Sequence, residues 1–388
     1  MMSIERLMLW APLCFMAYVT IVYPVIIALL ARTKADELRR GSIEPNLSIV
    51  IAAHNEIDHI SKKIQNLLAL DYPADRLEIL IGSDGSTDGT LERLRARSEQ
   101  HIRLFVLPER QGKPAVLNQL IPSARGEIVV LADVRQRFEA DMLRRIVQPF
   151  SDGAVGAVSG ELVLTRDACP VIGDGCGVYW RYEKWIRANE SRLDSTVGAT
   201  GAIYAIRREL FEPIPEDTIL DDVLIPLQIV RRGYRVLFEP GARAWDSAPR
   251  DARHEFARKV RTLAGNFQLF SRERWLLSPT RNRVWWQTIS HKAGRLFFPL
   301  CQLSALIANS LLAANSDVYR VLLGAHMLFY VAALTGMILQ RIRRKFWLAT
   351  LSYTFCLLSW ATVVGFVRHI TRRQRVTWKK AAPIGETR

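Results

Sequence analysis

An acidic, glycine-containing turn, Asp84-Gly85-Ser86-Thr87-Asp88-Gly89-Thr90, directly follows an apolar, β-type run, Leu77–Ser83. A strand that ends in such a turn places carboxylates at the carboxyl edge of a sheet, where open α/β folds bind their ligands. The turn therefore predicts the floor of a nucleotide site. Taken alone, it is equally compatible with Asp and Ser side chains that only form the turn and cap the next helix.

Short β-type runs alternate with amphipathic helical runs around this turn. The predicted strands are 47–53, 77–83, 102–107, 127–131 and 155–159, and the predicted helices are 57–70, 91–98, 114–124 and 141–150. This βαβα order predicts an α/β domain with a mostly parallel sheet covered on both faces. No GxGxxG opens any of these helices, so a dinucleotide-binding half of that type is not expected.

Three further polar features follow predicted strands. Ala53-His54-Asn55-Glu56 closes the first strand, Gly112-Lys113 comes after the third, and Asp133 comes after the fourth. The carboxyl ends of parallel strands meet at one edge of a sheet, so we expect these residues to lie beside Asp84.

Composition indicates that part of the chain lies in a membrane. The 388 residues carry a net charge of +15, and the mean hydropathy of +0.05 is high for a soluble enzyme. Basic residues cluster beside apolar runs at 32–40, 341–345 and 368–380, which favours contact with membrane lipids over nucleic acid, for which no motif is present. Five cysteines without CxxC spacing indicate neither a disulfide framework nor a zinc site.

Four apolar runs, 8–31, 296–314, 318–339 and 346–367, are candidates for membrane segments. The first is long, lacks an Ala-x-Ala cleavage site and precedes a basic flank, so we expect an uncleaved anchor with the following domain in the cytoplasm. If all four runs span, the basic tail lies outside, against the positive-inside rule. We therefore expect one run to be interfacial or re-entrant, and 296–314 is the candidate because it is short and follows an Arg- and Trp-rich approach.

The order of these motifs, from about Leu47 to Gly265, resembles family 2 glycosyltransferases with the GT-A fold. Residues 198–208 (GATGAIYAIRR) are similar to the acceptor-side segment of membrane-embedded, often processive members, such as exopolysaccharide, poly-N-acetylglucosamine and hyaluronan synthases. Asp221-Asp222 resembles their Glu-Asp pair before a helix. Arg258-x-x-Arg261 stands where they carry Gln-x-x-Arg-Trp.

The resemblance implies a binding site for a UDP-sugar donor. Ala53, Asn55, Glu56, Asp84 and Ser86 would hold the uridine, because a carboxylate can accept a hydrogen bond from the uracil imide. Asp133 would be the first Asp of the family's Asp-x-Asp and would bind Mg²⁺ or Mn²⁺ on the diphosphate. Lys113 would approach phosphate or acceptor, with a solvated helix start as the alternative.

Asp222 is the expected general base, because an inverting transfer needs one carboxylate to take the proton of the acceptor hydroxyl. The register of the resemblance favours it over Asp221, for which a helix cap is the alternative. Arg258 and Arg261 lie three residues apart, hence on one helical face, and would clamp the diphosphate. The alternative for this pair is a basic face that meets lipid headgroups.

The sequence departs from the family at two motifs. Arg135 stands where the second carboxylate of the metal motif is usual, so a guanidinium can replace part of the metal's charge, and the need for a metal is left open. Arg258 replaces Gln and Thr262 replaces Trp in the last motif, which makes processivity less secure than transfer.

The expected organisation is a transmembrane anchor (1–34), a GT-A domain (35–270), an interfacial amphipathic region (271–295), C-terminal transmembrane helices (296–367) and a basic cytoplasmic tail (368–388). We expect an inverting glycosyltransferase of the bacterial inner membrane, multi-pass, that moves a hexose or N-acetylhexosamine from a UDP-sugar to a growing exopolysaccharide. Two alternatives are a single transfer to a polyprenyl-phosphate or glycolipid acceptor, and a non-catalytic, nucleotide-binding regulatory subunit. Export or accessory proteins are possible partners.

Overall fold

The computed structural model describes residues 3–34, 41–96, 101–165, 174–247, 252–342 and 346–377. The chain divides into two compact units. The sheet unit consists of Asp36–Thr165, Asp194–Ala248 and Arg372–Arg388, and the helical unit consists of Met1–Ala35, Arg166–Leu193 and Pro249–Thr371. The contiguous boundaries expected for a domain at 35–270 differ from this division, and the expected tail is described only to residue 377.

The described part of the sheet unit contains an eight-stranded sheet in the order β3-β2-β1-β4-β7-β6-β8-β5. The strands are β1 (Leu47–Ala53), β2 (Leu77–Asp84), β3 (Ile102–Leu107), β4 (Ile128–Ala132), β5 (Arg137–Phe138), β6 (Val155–Thr165), β7 (Ile203–Arg207) and β8 (Arg235–Ser247). Strands β1 to β4 pair in parallel, and β7 joins the sheet antiparallel to both β4 and β6. The predicted α/β class with a mostly parallel sheet is confirmed.

The α-helices are α1 (Ile4–Ala17), α2 (Tyr23–Thr33), α3 (Ile57–Leu68), α4 (Thr90–Arg95), α5 (Lys113–Ser123), α6 (Met142–Val147), α7 (Asp174–Leu193), α8 (Asp221–Arg231), α9 (Ala252–Arg272), α10 (Trp285–Gln287), α11 (Phe298–Ala313), α12 (Asp317–Arg341) and α13 (Trp347–Ile370). The four helices predicted between the first five strands are present as α3, α4, α5 and α6. Residues 97 and 98 of the predicted helix 91–98 lie outside the described residues.

The apolar core of the sheet unit lies between the sheet and two of its helices. Alternate residues of β1 and β4 pack with apolar side chains of α3 and α6. On the other face, Gly82 of β2 allows a close approach of α5, because a Cβ at this position would lie 2.4 Å from a methyl group of Val116. The sheet is therefore covered on both faces, which leaves its strand ends as the place for polar side chains.

Within the described residues, four helical segments are long and apolar enough to cross a membrane: Ile4–Thr33, Trp285–Ala313, Asp317–Gln340 and Trp347–Ile370. The first contains α1, a π-helical turn at Tyr18–Val22 and α2. The second contains α10, a π-helical turn at Thr288–Ala293, a 3₁₀ turn and α11. It begins at Trp285, within the region expected to be interfacial, and its 29 residues exceed the length that a bilayer requires.

A buried ionic network holds the helical unit together. Glu190 of α7 is fully buried, and its Oε1 accepts a hydrogen bond from the Tyr23 hydroxyl of α2 (2.6 Å) and contacts His291 Nδ1 (2.8 Å). The other ring nitrogen of His291 lies 2.9 Å from Glu183, which also pairs with Arg295. Burial alone would raise the pKa of Glu183, but Arg295 and His291 outweigh it and hold that pKa well below its usual range.

One lysine, Lys63, lies on the apolar face of α3, where it is 2% exposed. Its ammonium donates to the carbonyl of Gln136 (2.9 Å) and lies 3.4 Å from the ring centroid of Phe138. Burial lowers the pKa of Lys63 to about 7, although Asp133 and Asp246 act in the opposite direction.

We predict that Glu190→Ala destabilises the protein strongly. The substitution leaves the Tyr23 hydroxyl and His291 buried without their shared acceptor, and breaking a buried ionic pair typically costs about 3–5 kcal/mol. The midpoint of thermal unfolding in detergent should fall by about 5–10 °C. The control, Glu216→Ala, removes an exposed carboxylate and should leave the midpoint unchanged. Equal midpoints for the two variants would show that the Glu190 network does not stabilise the fold.

We also predict a pH-dependent contribution of Lys63 to stability. The pKa in the folded state lies below the unfolded value of 10.5, so the folded state binds fewer protons between about pH 7 and 10.5, and stability rises with pH across that window. The midpoint of thermal unfolding should rise more steeply between pH 7 and pH 10 for the wild type than for Lys63→Met. The exposed neighbour offers a control, since Lys62→Met should keep the wild-type slope. Parallel curves for wild type and Lys63→Met would refute the prediction.

Candidate active site

Asp84, at the end of β2, is 4% exposed and organises the loop that precedes α5. Its two carboxylate oxygens accept hydrogen bonds from the backbone N–H groups of Gln111 (2.7 Å) and Gly112 (2.9 Å). Gly112 has φ +103°, which L side chains rarely adopt. Asp84 thus fixes the start of α5. Its predicted contact with uracil stays a prediction.

The loop after β1 is joined to the loop after β2 by side-chain hydrogen bonds. Asn55, in a left-handed conformation at φ +54°, accepts from the Thr87 N–H (2.8 Å), and its own N–H donates to the Ser86 hydroxyl (3.1 Å). The N–H of Glu56 donates to the Thr90 hydroxyl (2.8 Å). Ala53, Asn55, Glu56, Asp84 and Ser86 are therefore brought together at one edge, as their positions after the strands predict.

Asp88 has the capping role that the turn alone suggests. Its carboxylate accepts from the N–H groups of Ile57 (3.2 Å) and Thr90 (3.1 Å), at the starts of α3 and α4. Anionic caps at helix N-termini are stabilising because four N–H groups there lack helical partners. The turn thus serves as a cap through Asp88, while Asp84 holds a different loop.

Lys113, the first residue of α5, bridges two carboxylates. Its Nζ lies 2.9 Å from Asp133 Oδ1 and 3.2 Å from Asp221 Oδ2, and its side chain is 8% exposed. Burial alone would lower the pKa of Lys113, but Asp133 and Asp221 raise it above its usual value. The two carboxylates therefore favour the charged form of Lys113.

The two aspartates at the start of α8 have different surroundings. Asp221 is buried and faces Lys113, whereas Asp222 is half-buried and its Oδ2 accepts from the Gly201 N–H (3.0 Å). The backbone carbonyl of Asp222 accepts from the Ala199 N–H (2.7 Å). Residues 198–201 therefore support Asp222, which links the segment similar to the family's acceptor side to this carboxylate.

Tyr204 of β7 lies under the acidic cluster. It is fully buried, and its hydroxyl has no hydrogen-bond partner among the described residues. Burial, with Asp221, Asp222 and Asp133, raises the pKa of Tyr204 well above its usual value. Burial and these three carboxylates therefore disfavour the phenolate form of Tyr204.

The donor set suits a divalent cation that a substrate helps to bind. Among the contacts described, Asp133 and Asp221 outnumber the ammonium of Lys113, and Asp133 is 36% exposed. No three His, Cys, Asp or Glu side chains within the described residues form a closed metal site. Mg²⁺ is commonly held by one or two carboxylates and substrate phosphates, so Asp133 fits as the protein ligand.

Arg135 pairs with Glu56, and their closest atoms, Arg135 Nε and Glu56 Oε1, lie 3.5 Å apart. The guanidinium that replaces the usual second carboxylate is thus held beside the loop after β1. Arg258 and Arg261 belong to the helical unit, on α9, where Arg258 Nη2 lies 2.6 Å from Glu255 Oε2. Their predicted clamp on the diphosphate stays a prediction.

Sequence patterns missed three polar residues near this site. Lys63 lies among Ile60, Ile64 and Leu67 on α3, and Gln136 Nε2 donates to Asp246 Oδ2 of β8 (2.8 Å). A signal for Lys63 was present, because it occupies the apolar i, i+3, i+4 stripe of its helix. The sequence contains no comparable signal for Asp246, because β8 was not predicted as a strand.

Comparisons with known proteins identify the family of this domain. Residues 48–214 match the pattern of Glycosyl transferase family 2. A poly-beta-1,6-N-acetyl-D-glucosamine synthase of Staphylococcus aureus is 26% identical over 233 residues, 58% of this chain and 56% of the relative. A beta-monoglucosyldiacylglycerol synthase of Nostoc sp. is 30% identical over 191 residues, 47% of this chain and 41% of the relative. The match thus spans about half the length of these curated relatives.

A solved structure supports the fold over nearly the whole chain. A mannosyltransferase from Pyrobaculum calidifontis, in complex with GDP-Man and Mn²⁺, superposes with a TM-score of 0.74 at 23% identity. The superposition covers 93% of this chain and 98% of that one. Residues 48–214 are therefore a glycosyl transferase family 2 domain, and its sheet has the GT-A fold.

Proposed function

We propose that this protein is an inverting glycosyltransferase that moves a hexose or N-acetylhexosamine from a UDP-sugar to a growing exopolysaccharide. The observation that carries this proposal is that Asp221 and Asp222, adjacent at the start of α8, have different surroundings. Asp221 is buried and paired with Lys113, whereas Asp222 is half-buried and its Oδ2 accepts from the Gly201 N–H. Asp222 is thus the more exposed carboxylate of the pair.

Asp222 acts as general base in this mechanism. Its carboxylate takes the proton of the acceptor hydroxyl while that oxygen forms a bond to the anomeric carbon. The bond from the anomeric carbon to the diphosphate oxygen breaks on the opposite face, and UDP leaves with the bonding electrons. The Gly201 N–H orients the carboxylate for this step.

The donor occupies the edge formed by the loops after β1, β2 and β4. Ala53, Asn55, Glu56, Asp84 and Ser86 line its uridine end. A divalent ion on Asp133 would offset charge on the diphosphate.

The acceptor is a polysaccharide in the first form of this proposal. The name of the Staphylococcus aureus relative, a poly-N-acetylglucosamine synthase, supports it. A second form, transfer of one sugar to a glycolipid or polyprenyl phosphate, is favoured by the name of the Nostoc relative, which makes a glucosyldiacylglycerol. In both forms the enzyme resides in the bacterial inner membrane as a multi-pass protein, with the sheet unit in the cytoplasm.

The experiment is UDP release by protein in nanodiscs against a panel of UDP-sugars, with membrane extract as acceptor. Asp222→Asn should lower kcat by about 10²–10⁴-fold, because it removes the general base and keeps the side-chain shape. Its affinity for UDP should stay near the wild-type value. The control, Asp75→Asn, changes an exposed carboxylate of the same unit and should retain full activity.

Two results would overturn the proposal. Full turnover by Asp222→Asn would remove Asp222 from the chemistry. UDP binding by the wild type without turnover of any sugar would favour the non-catalytic regulatory subunit. The size of the product separates the acceptors, since a polysaccharide grows with time and a glycolipid does not.

A further inference from the structure

We propose that Lys113 is a positioning residue, which holds Asp133 and Asp221 at a fixed separation and thereby sets the place of Asp222. The inference rests on the proposed function, because Asp222 is the general base of that proposal. It differs from the sequence expectation, in which Lys113 itself approaches phosphate or acceptor.

Burial argues against direct substrate contact by Lys113. Its side chain is 8% exposed, and its ammonium already contacts one oxygen of Asp133 at 2.9 Å and one of Asp221 at 3.2 Å. A buried ammonium costs free energy unless it is paired. Movement of Lys113 to a phosphate would leave the buried Asp221 without that cation, so the native pairing favours a lysine that stays in place.

The backbone immediately before Lys113 is also held in place. Asp84 accepts from the N–H groups of Gln111 and Gly112, the two residues before Lys113. The end of β2 therefore fixes the first residue of α5. Through its side chain, that residue connects to Asp133 after β4 and to the first turn of α8.

Loss of the Lys113 ammonium would also affect Asp222, because Asp222 is joined to Asp221 by a peptide bond. Asp133 and Asp221 both face the Lys113 ammonium, so its removal would leave two carboxylates without the cation between them. Their repulsion acts on the first turn of α8, where Asp222 follows Asp221 directly. Displacement of a catalytic group by about 1 Å can cost about 10²-fold in rate.

The test is a double-substitution cycle with two readouts, kcat for UDP-sugar turnover and the Kd of UDP by calorimetry. Lys113→Met should lower kcat by about 10²-fold and change the Kd of UDP by less than about threefold. Adding Asp221→Asn removes one of the repelling charges, so the double variant should regain about tenfold in kcat over Lys113→Met. Lys113→Arg, which keeps the charge, should be more active than Lys113→Met.

Lys62→Met serves as the control, because it removes an exposed lysine of the same unit. A Kd of UDP weakened by tenfold or more in Lys113→Met, with kcat retained, would make Lys113 a phosphate ligand and overturn the proposal. Equal losses of kcat in Lys113→Met and in the double variant would overturn the proposal as well. If Lys113→Met does not fold, the double variant and Lys113→Arg still test the proposal. It requires that both have a higher kcat than Asp222→Asn. A wild type without turnover would refute the proposed function instead.

Discussion

A buried ammonium between two carboxylates is the interaction on which the candidate site depends. Lys113 contacts Asp133 from the parallel half of the sheet and Asp221 from α8, which follows the antiparallel strand β7. In a medium of low dielectric constant, such contacts are strong when complete and costly when one partner is missing. The three elements that supply Asp133, Lys113 and the Asp221-Asp222 pair are therefore held in one arrangement.

Both units contain a network of this kind among their described residues. In the helical unit, Glu183 and Glu190 face His291 and Arg295, so two carboxylates meet two basic side chains. Replacement of a buried ionic network by apolar residues is often neutral for stability, so its value lies in the geometry that it specifies. Apolar surfaces alone would allow α2, α7 and the Trp285–Ala313 segment to slide along one another, whereas hydrogen bonds of 2.6 to 2.9 Å do not.

The sequence predicts the parallel half of the sheet well, because each signal there is local. Apolar runs of strand length and acidic or glycine-containing turns locate β1 to β4 and the site residues that follow them. Strands β7 and β8 were missed, since their pairing partners, β4 and β6, are distant in the chain and no turn pattern marks them. The start of the second candidate span at Trp285 was missed for a related reason: the polar residues His291 and Arg295 interrupt the apolar run, but they are paired within the fold.

The pairing of Lys113 and the burial of Asp84 also lay beyond the sequence. A glycine followed by lysine gives no indication of which carboxylate the lysine meets, and an aspartate at a strand end is as suited to a ligand as to a backbone loop. Both outcomes depend on contacts across 20 or more residues: Asp84 with Gln111 and Gly112, and Lys113 with Asp133 and Asp221. Position along the sheet edge was predictable, and partner choice was not.

Arg135 illustrates why charge must be summed over the site and not over the motif. Arginine in place of the second carboxylate suggests that the site no longer needs a metal ion. The guanidinium, however, pairs with Glu56, and the ammonium of Lys113 pairs with Asp133 and Asp221. Among the contacts described, Asp133, Asp221 and Glu56 thus meet two cations, Lys113 and Arg135, before a diphosphate adds further negative charge. A divalent cation suits that excess electrostatically, so Arg135 does not by itself argue against such an ion.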